Sequence, residues 1–251
     1  MNRKHILAGN WKMNLGPKQG SSLAERIKEY AAGLSATEVW VAPPAITIPA
    51  VSKTLAGTAV RVGAQNAYFE DSGAFTGELS VPMLEETGAS FAITGHSERR
   101  HVFGESNDLV SRRTLGLLAR GFTVIHCIGE QLEEREAGRT NDVLQEQLQP
   151  ILDGMDHSRL DKLVIAYEPV WAIGTGKVAT NVEIEEAHSF IASLCEKKLA
   201  GKCPPILYGG SVKPDNFAGI IRVPRVSGAL VGGASIKFES FRDLIAIAEE
   251  A

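Results

Sequence analysis

The sequence predicts a single-domain α/β protein, a (β/α)8 barrel of eight parallel strands covering residues 1–251. Three observations predict it. Eight short apolar runs recur along the chain, and they are continuous rather than alternating, as strands buried on both faces should be. Longer amphipathic stretches lie between them, with no Pro/Ser-rich linker or low-complexity segment to divide the chain. Eight strand–helix units of about 31 residues each suit a barrel of about 250 residues. An open doubly wound sheet is the architectural rival.

The elements follow in order. "HILAGNW" opens the series, and "SSLAERIKEYAAGL" then sets Leu23, Ile27, Tyr30 and Leu34 on one helical face. "VWVAPP", "VRVGAQ" and "FAITGH" are the second to fourth strands. "DLVSRRTLGLLARG" reads as a helix stopping at Gly121, ahead of the fifth strand, "TVIHCIG". "LVIAYE" is the sixth, followed by "EIEEAHSFIASLCEKKLAG", a helix stopping at Gly201. "PILYGG" and "GALVGG" complete the set. Almost every run exits into polar or glycine-rich residues, such as "GNWK", "GHSE" and "YGGS". In either architecture ligands bind at the carboxyl ends of the strands, so the chemistry belongs there.

Composition removes several function classes. A net charge of −4 with 22% charged residues lacks the basic field of a general nucleic-acid binder. No apolar stretch nears the roughly 20 residues of a membrane-spanning helix. "MNRKHILAGN" has a basic start but too short an apolar run for a good signal peptide. Cys127, Cys195 and Cys203 form no C-x-x-C, consistent with a reduced, cytoplasmic protein. "GTGKVA" imitates a dinucleotide fingerprint, but "PVWAI" separates it from the strand, and Val178 stands where a phosphate-binding loop needs Ser or Thr. "GHSER" and "GGSVK" lack the second glycine of a nucleophile elbow. His96 and His101 flank Glu98 without metal-ligand spacing, so no metal is expected.

What remains is a small constellation. Glu168 sits where the sixth run emerges, beside Tyr167, Pro169, Val170, Trp171 and Ile173. Such neighbours can strip water from a carboxylate, and a desolvated carboxylate is the stronger base, suited to a weakly acidic proton beside a carbonyl. His96 follows the fourth strand and precedes "SERR", which reads as a short helical turn capped by Ser97. A helix N-terminus disfavours imidazolium, while a neutral ring still donates one hydrogen bond to a carbonyl. Lys12 ends the first run, where an ammonium can stabilise enolate charge, with Asn10 to orient it. The glycine pairs of "YGGSV" and "VGGAS" read either as tight turns or as a cradle of backbone N–H groups for phosphate, to which Gly174 and Gly176 could add. Together these residues ask for a small phosphorylated carbonyl compound and no cofactor.

From end to end the chain resembles the triosephosphate isomerase family. The resemblance rests on "AGNWKMN", "GAQN", "SGAFTGE", "GHSERR", "CIGE", "AYEPVWAIGTGK", "YGGSV" and "LVGGAS", in that order. It implies the TIM barrel and the interconversion of dihydroxyacetone phosphate and D-glyceraldehyde 3-phosphate through an enediolate, in glycolysis and gluconeogenesis. Glu168 would be the base, His96 the neutral electrophile, Lys12 the cation and Asn10 its partner. Backbone amides of Gly174, Ser211, Gly232 and Gly233 would hold the phosphate.

The same resemblance makes residues 169–179 a mobile lid, loop closure being a property for which this family is a known example. Ile173 and Leu230 would close on the carboxylate. Tyr208 and Ser211 would bind the closed lid, and Glu130 would hold Trp171 in the open one. Glu98 would pair with Lys12, and Cys127 would be structural. "EDSGAFTGE" would enter a neighbouring subunit of a homodimer, bringing Thr76 to the partner's Asn10 and His96. Asn181, where many relatives have proline, is expected to act as a helix cap and loosen the lid's second hinge.

Overall fold

The computed structural model describes residues 4–174 and 177–251. All eight apolar runs are strands: β1 (His5–Asn10), β2 (Thr37–Ala42), β3 (Arg61–Ala64), β4 (Phe91–Thr94), β5 (Thr123–Ile128), β6 (Leu163–Tyr167), β7 (Ile206–Tyr208) and β8 (Gly228–Val231). They pair in chain order and close into one barrel through parallel β1 and β8, which removes the open doubly wound alternative. The surrounding helices are α1 (Pro17–Ala31), α2 (Ile48–Leu55), α3 (Val81–Glu86), α4 (Ser97–His101) and α5 (Asn107–Ala119), then α6 (Leu132–Glu136), α7 (Thr140–Gly154), α8 (Asn181–Lys198), α9 (Pro214–Ile220) and α10 (Phe238–Glu249).

Side-chain alternation splits the core into two layers. Ile6 and Ala8, Trp40 and Ala42, Phe91 and Ile93, Ile125 and Cys127, and Val164 and Ala166 fill the barrel interior with Leu207 and Leu230. The intervening residues, among them Leu7, Val39, Val41, Val124 and Ile165, pack outward beneath the helices. Trp40 and Phe91 plug the lower end with ring centroids 4.9 Å apart. The Arg61 guanidinium lies 4.1 Å over the Trp40 ring and donates to Ser90 O and Thr123 Oγ1.

Helix ends differ in detail from the sequence reading. Helix α1 starts at Pro17 rather than Ser21, because proline at the first helical position gives up only an N–H with no intrahelical partner. It stops at Ala31, short of Leu34. Gly121 (φ +73°) and Gly201 (φ +80°) do follow α5 and α8 in the left-handed conformation that ends helices. Asn181 is not the cap of α8. Thr180 is, its hydroxyl accepting from Glu183 N while the Glu183 carboxylate accepts from Thr180 N, and Asn181 takes the first helical position.

Two buried imidazoles tie strands to helices. His126 points outward from β5, with Nδ1 3.0 Å from Thr114 Oγ1 and Nε2 3.2 Å from Gln147 O. His188, on α8, is equally inaccessible. Burial pushes His126 down to about 3 and His188 down to about 4. Both are neutral in the fold, whereas in the unfolded chain they bind protons below about pH 6.5. Their contribution is therefore complete above pH 6.5 and is lost as pH falls below it, by about 1.4 kcal/mol per pH unit for each ring. Urea unfolding at pH 7 and pH 5 should show this loss; an equal unfolding free energy at both values would contradict it.

Candidate active site

Strand alternation carries the inward rows into the mouth. Ile6 and Ala8 continue to Asn10, and Val164 and Ala166 continue to Glu168. Asn10 is 5% and Glu168 2% exposed, so both carboxamide and carboxylate are enclosed by protein. Lys12, two residues beyond the end of β1, holds a left-handed backbone (φ +50°), which is uncommon outside glycine and clusters at functional sites. Asn10 Oδ1 accepts from the Lys12 amide at 3.0 Å, and Gln65 Nε2 donates to the Lys12 carbonyl at 2.8 Å. The Lys12 ammonium reaches Glu98 Oε1 at 2.6 Å.

His96 enters by a different route. Gly95, at φ +67°, turns the chain out of β4, and a Cβ there would meet Val110 and the Arg100 guanidinium at 2.6 and 2.7 Å. Ser97 does not cap α4. His96 does so itself, its Nδ1 accepting from Glu98 N at 3.2 Å. That contact leaves the ring proton of the neutral tautomer on Nε2. Ser97 serves instead through its backbone: its N–H donates to Glu168 Oε2 at 2.8 Å. Glu168 Oε1 lies 3.2 Å from His96 Nε2, so the carboxylate rests against the imidazole.

These groups share one cavity of about 680 Å³, which Ile173, Gly174, Ser211, Leu230, Gly232 and Gly233 also line. Gly209 and Gly232 directly follow β7 and β8 and continue the inward rows of Leu207 and Leu230 into the mouth. A Cβ on Gly209 would come within 2.8 Å of Glu168 Cγ, and one on Gly232 within 3.3 Å of Lys12 Cε. Glycine at these two places leaves room for reactive side chains, a role distinct from the tight turns and phosphate cradle considered above. Gly176 lies outside the described residues.

The segment after Glu168 is fastened at its first turn. Trp171 Nε1 donates to Glu130 Oε1 at 2.8 Å, and the same oxygen accepts from Tyr167 Oη at 3.1 Å. Tyr208 is fully buried, and burial pushes its phenol up to about 12 against the opposing pull of the Ala179 amide. The Cys127 thiol is pushed upward by burial and by the Glu168 charge, which suits packing rather than nucleophilic attack. Thr76 is on an exposed turn and does not line the cavity of its own chain.

Sequence reasoning missed three contributors. Gln65 was present in "GAQN", but nothing about a glutamine announces that it fixes Lys12. The Ser97 amide acts through the backbone and has no residue signature. Arg100 is buried, donating to Gly95 O at 2.7 Å, Cys127 O at 3.0 Å and Asn107 Oδ1 at 2.6 Å. It thereby ties the exits of β4 and β5 to the start of α5, and nothing in the sequence reading singled it out.

A closed parallel barrel with an acid, an imidazole and an ammonium converging at its mouth belongs to the class of (β/α)8-barrel isomerases. The family model described as triosephosphate isomerase matches residues 5–248. Curated proteins of that name are similar over nearly their whole length. That of Rhodopirellula baltica is 43% identical, covering 100% of both chains. That of Citrifermentans bemidjiense is 45% identical over 98% of this chain and 100% of its own, and that of Leptospira interrogans serovar Lai 46% over 96% and 99%. The chain belongs to the triosephosphate isomerase family.

The space at Gly209 gives a test of the site's geometry. Gly209→Ala should leave far-ultraviolet circular dichroism unchanged while displacing Glu168, and a displacement of about 1 Å can cost on the order of 10²-fold in kcat. Steady-state kinetics with an unaltered kcat would show that the carboxylate does not need this space.

Proposed function

We propose that Glu168, His96 and Lys12 carry out the family's reaction here, the interconversion of dihydroxyacetone phosphate and D-glyceraldehyde 3-phosphate. The observation that carries the reading is the 3.2 Å approach of Glu168 to His96 Nε2 at a cavity that Lys12 also lines. Glu168 takes a proton from the carbon next to the carbonyl, while the Nε2–H of His96 and the Lys12 ammonium draw charge onto the carbonyl oxygen. The imidazole then passes a proton between the two oxygens of the enediolate. Glu168 returns its proton to the neighbouring carbon, so that atoms and charge balance over the cycle. To do this its carboxylate leaves the Ser97 amide and turns toward the substrate.

Asn10 orients Lys12, and Glu98 holds the ammonium until an anionic substrate competes for it. The phosphate lies against backbone amides of Gly174, Ser211, Gly232 and Gly233, with Ile173 and Leu230 closing over the base and Tyr208 receiving the closed lid. We read the working form as a cytoplasmic homodimer, with Thr76 reaching a partner's Asn10 and His96. Support comes from a cavity of about 290 Å³ lined by Asn10, Lys12, Met13, His96 and Phe103. Exposed Met13 (95%), Ile46 (76%), Val102 (71%) and Phe103 (66%) favour a covered face. Among the described residues, no helix is long and apolar enough to cross a membrane.

Glu168→Gln should keep the fold and lower kcat by roughly 10²–10⁴-fold, the scale of a positioned base. Exchange of substrate hydrogen with deuterated solvent should fall in parallel, and retained exchange would assign the proton transfer elsewhere. Sedimentation at working concentration should find a dimer; a fully active monomer would remove Thr76 from the site.

A further inference from the structure

One guanidinium touches both ends of the connection that leads from Glu168 to α8. It belongs to Arg135, on α6, the short helix that follows β5. At the near end, Arg135 Nη1 donates to Glu130 Oε1 at 3.4 Å. That same oxygen accepts from Trp171 Nε1 at 2.8 Å and from Tyr167 Oη at 3.1 Å. The guanidinium carbon also stands 4.8 Å from the centroid of the Trp171 ring. At the far end, Arg135 Nη2 donates to Glu183 Oε1 at 2.7 Å. The other oxygen of Glu183 accepts from the Thr180 amide at 2.7 Å, within the reciprocal pair that starts α8. Each end is complete without the cation: Trp171 and Tyr167 already donate to Glu130, and Thr180 already caps α8. The guanidinium is the group that belongs to both.

We propose that Arg135 is a positioning residue that joins the two ends of this connection, so that the turn after Glu168 and the first turn of α8 shift as one. The inference rests on the reading of Glu168 as the base that turns toward substrate. Arg135 does not line the cavity and touches no reacting atom. It acts through Glu130 and Trp171 on the turn beyond Pro169, and through Glu183 on Thr180. If one end moved alone, the guanidinium would be drawn off one of its acids. Glu130 has no exposure, so its charge would then be left buried without a cation. A guanidinium suits the task because its N–H groups point in fixed, separate directions, whereas an ammonium is a single point charge.

The test is a double-mutant cycle on the intact protein, read as kcat and KM. Trp171→Phe removes the indole donor at one end. Glu183→Gln removes the charge at the other and keeps an oxygen for the Thr180 amide. Each should lower kcat by about 10-fold, and the double variant should be no slower than the slower single one, because either change already frees both ends. In an Arg135→Lys background the two effects should instead multiply, to within about twofold. A guanidinium that only stabilised the fold would move the urea midpoint and leave the cycle multiplicative in both backgrounds, which would overturn the proposal. Undiminished non-additivity after Arg135→Lys would overturn it too, since the coupling would run through another group. The base is tested separately: an undiminished kcat in Glu168→Gln would withdraw the reading beneath the proposal, whereas a multiplicative cycle beside an impaired Glu168→Gln would remove the role of Arg135 alone.

Discussion

The site depends on a simple constraint: inside a closed barrel, strand alternation gives each strand one inward row, and every row must end at the mouth. Apolar residues fill these rows below, as in Ile6–Ala8 and Val164–Ala166. At the last position polar partners replace the apolar packing, so a polar side chain can be buried there with its hydrogen bonds made, as Glu168 is by the Ser97 amide. Asn10 and Glu168 are those last positions. Their placement is settled by the same packing that closes the barrel, so rigid strands rather than loops carry the carboxylate and the carboxamide.

Two further rows end in nothing, and that is equally necessary. Gly209 and Gly232 continue the Leu207 and Leu230 rows without a side chain, against Glu168 Cγ and Lys12 Cε. A barrel mouth this narrow cannot hold a side chain from every strand together with a substrate. Where alternation alone cannot deliver a group, the backbone departs from ordinary geometry instead. Lys12 is in the left-handed region, and Gly95 turns His96 into the mouth out of the row that Phe91 and Ile93 define. Each departure is held by a hydrogen bond to its carbonyl: Gln65 donates to Lys12 O, and buried Arg100 donates to Gly95 O.

This division explains what could be read from the sequence. Strands buried on both faces leave continuous apolar runs, so all eight were legible, and their polar exits named Glu168, His96, Lys12 and Asn10. Capping was not legible, because Ser97 and Asn181 are good caps in isolation, yet His96 and Thr180 precede them and take the role. Nor was the resting partner of Glu168, a backbone amide that any residue at position 97 except proline would supply. The space at Gly209 depends on which face of β7 it occupies, which is settled only when the barrel closes. Sequence specifies groups well and empty space poorly.

In the resting arrangement the reactive groups are engaged with one another or with their supports. The carboxylate of Glu168 is held by the Ser97 amide and lies beside His96 Nε2, and the Lys12 ammonium is held by Glu98. Two residues later a short helical turn, Val170–Ala172, is fastened by Trp171 to the buried Glu130, which Tyr167 and Arg135 also reach. Pro169 is the only residue between Glu168 and that turn, so a backbone shift of the turn would be felt at Glu168. Breaking the part-buried indole bond costs about 0.5–1.5 kcal/mol. In the proposed function a phosphate would offset that cost by gaining backbone donors, and closure would then be coupled to the presence of substrate. On that proposal the Trp171 anchor would keep Glu168 against Ser97 until substrate binds, and would let it turn when there is a proton to remove.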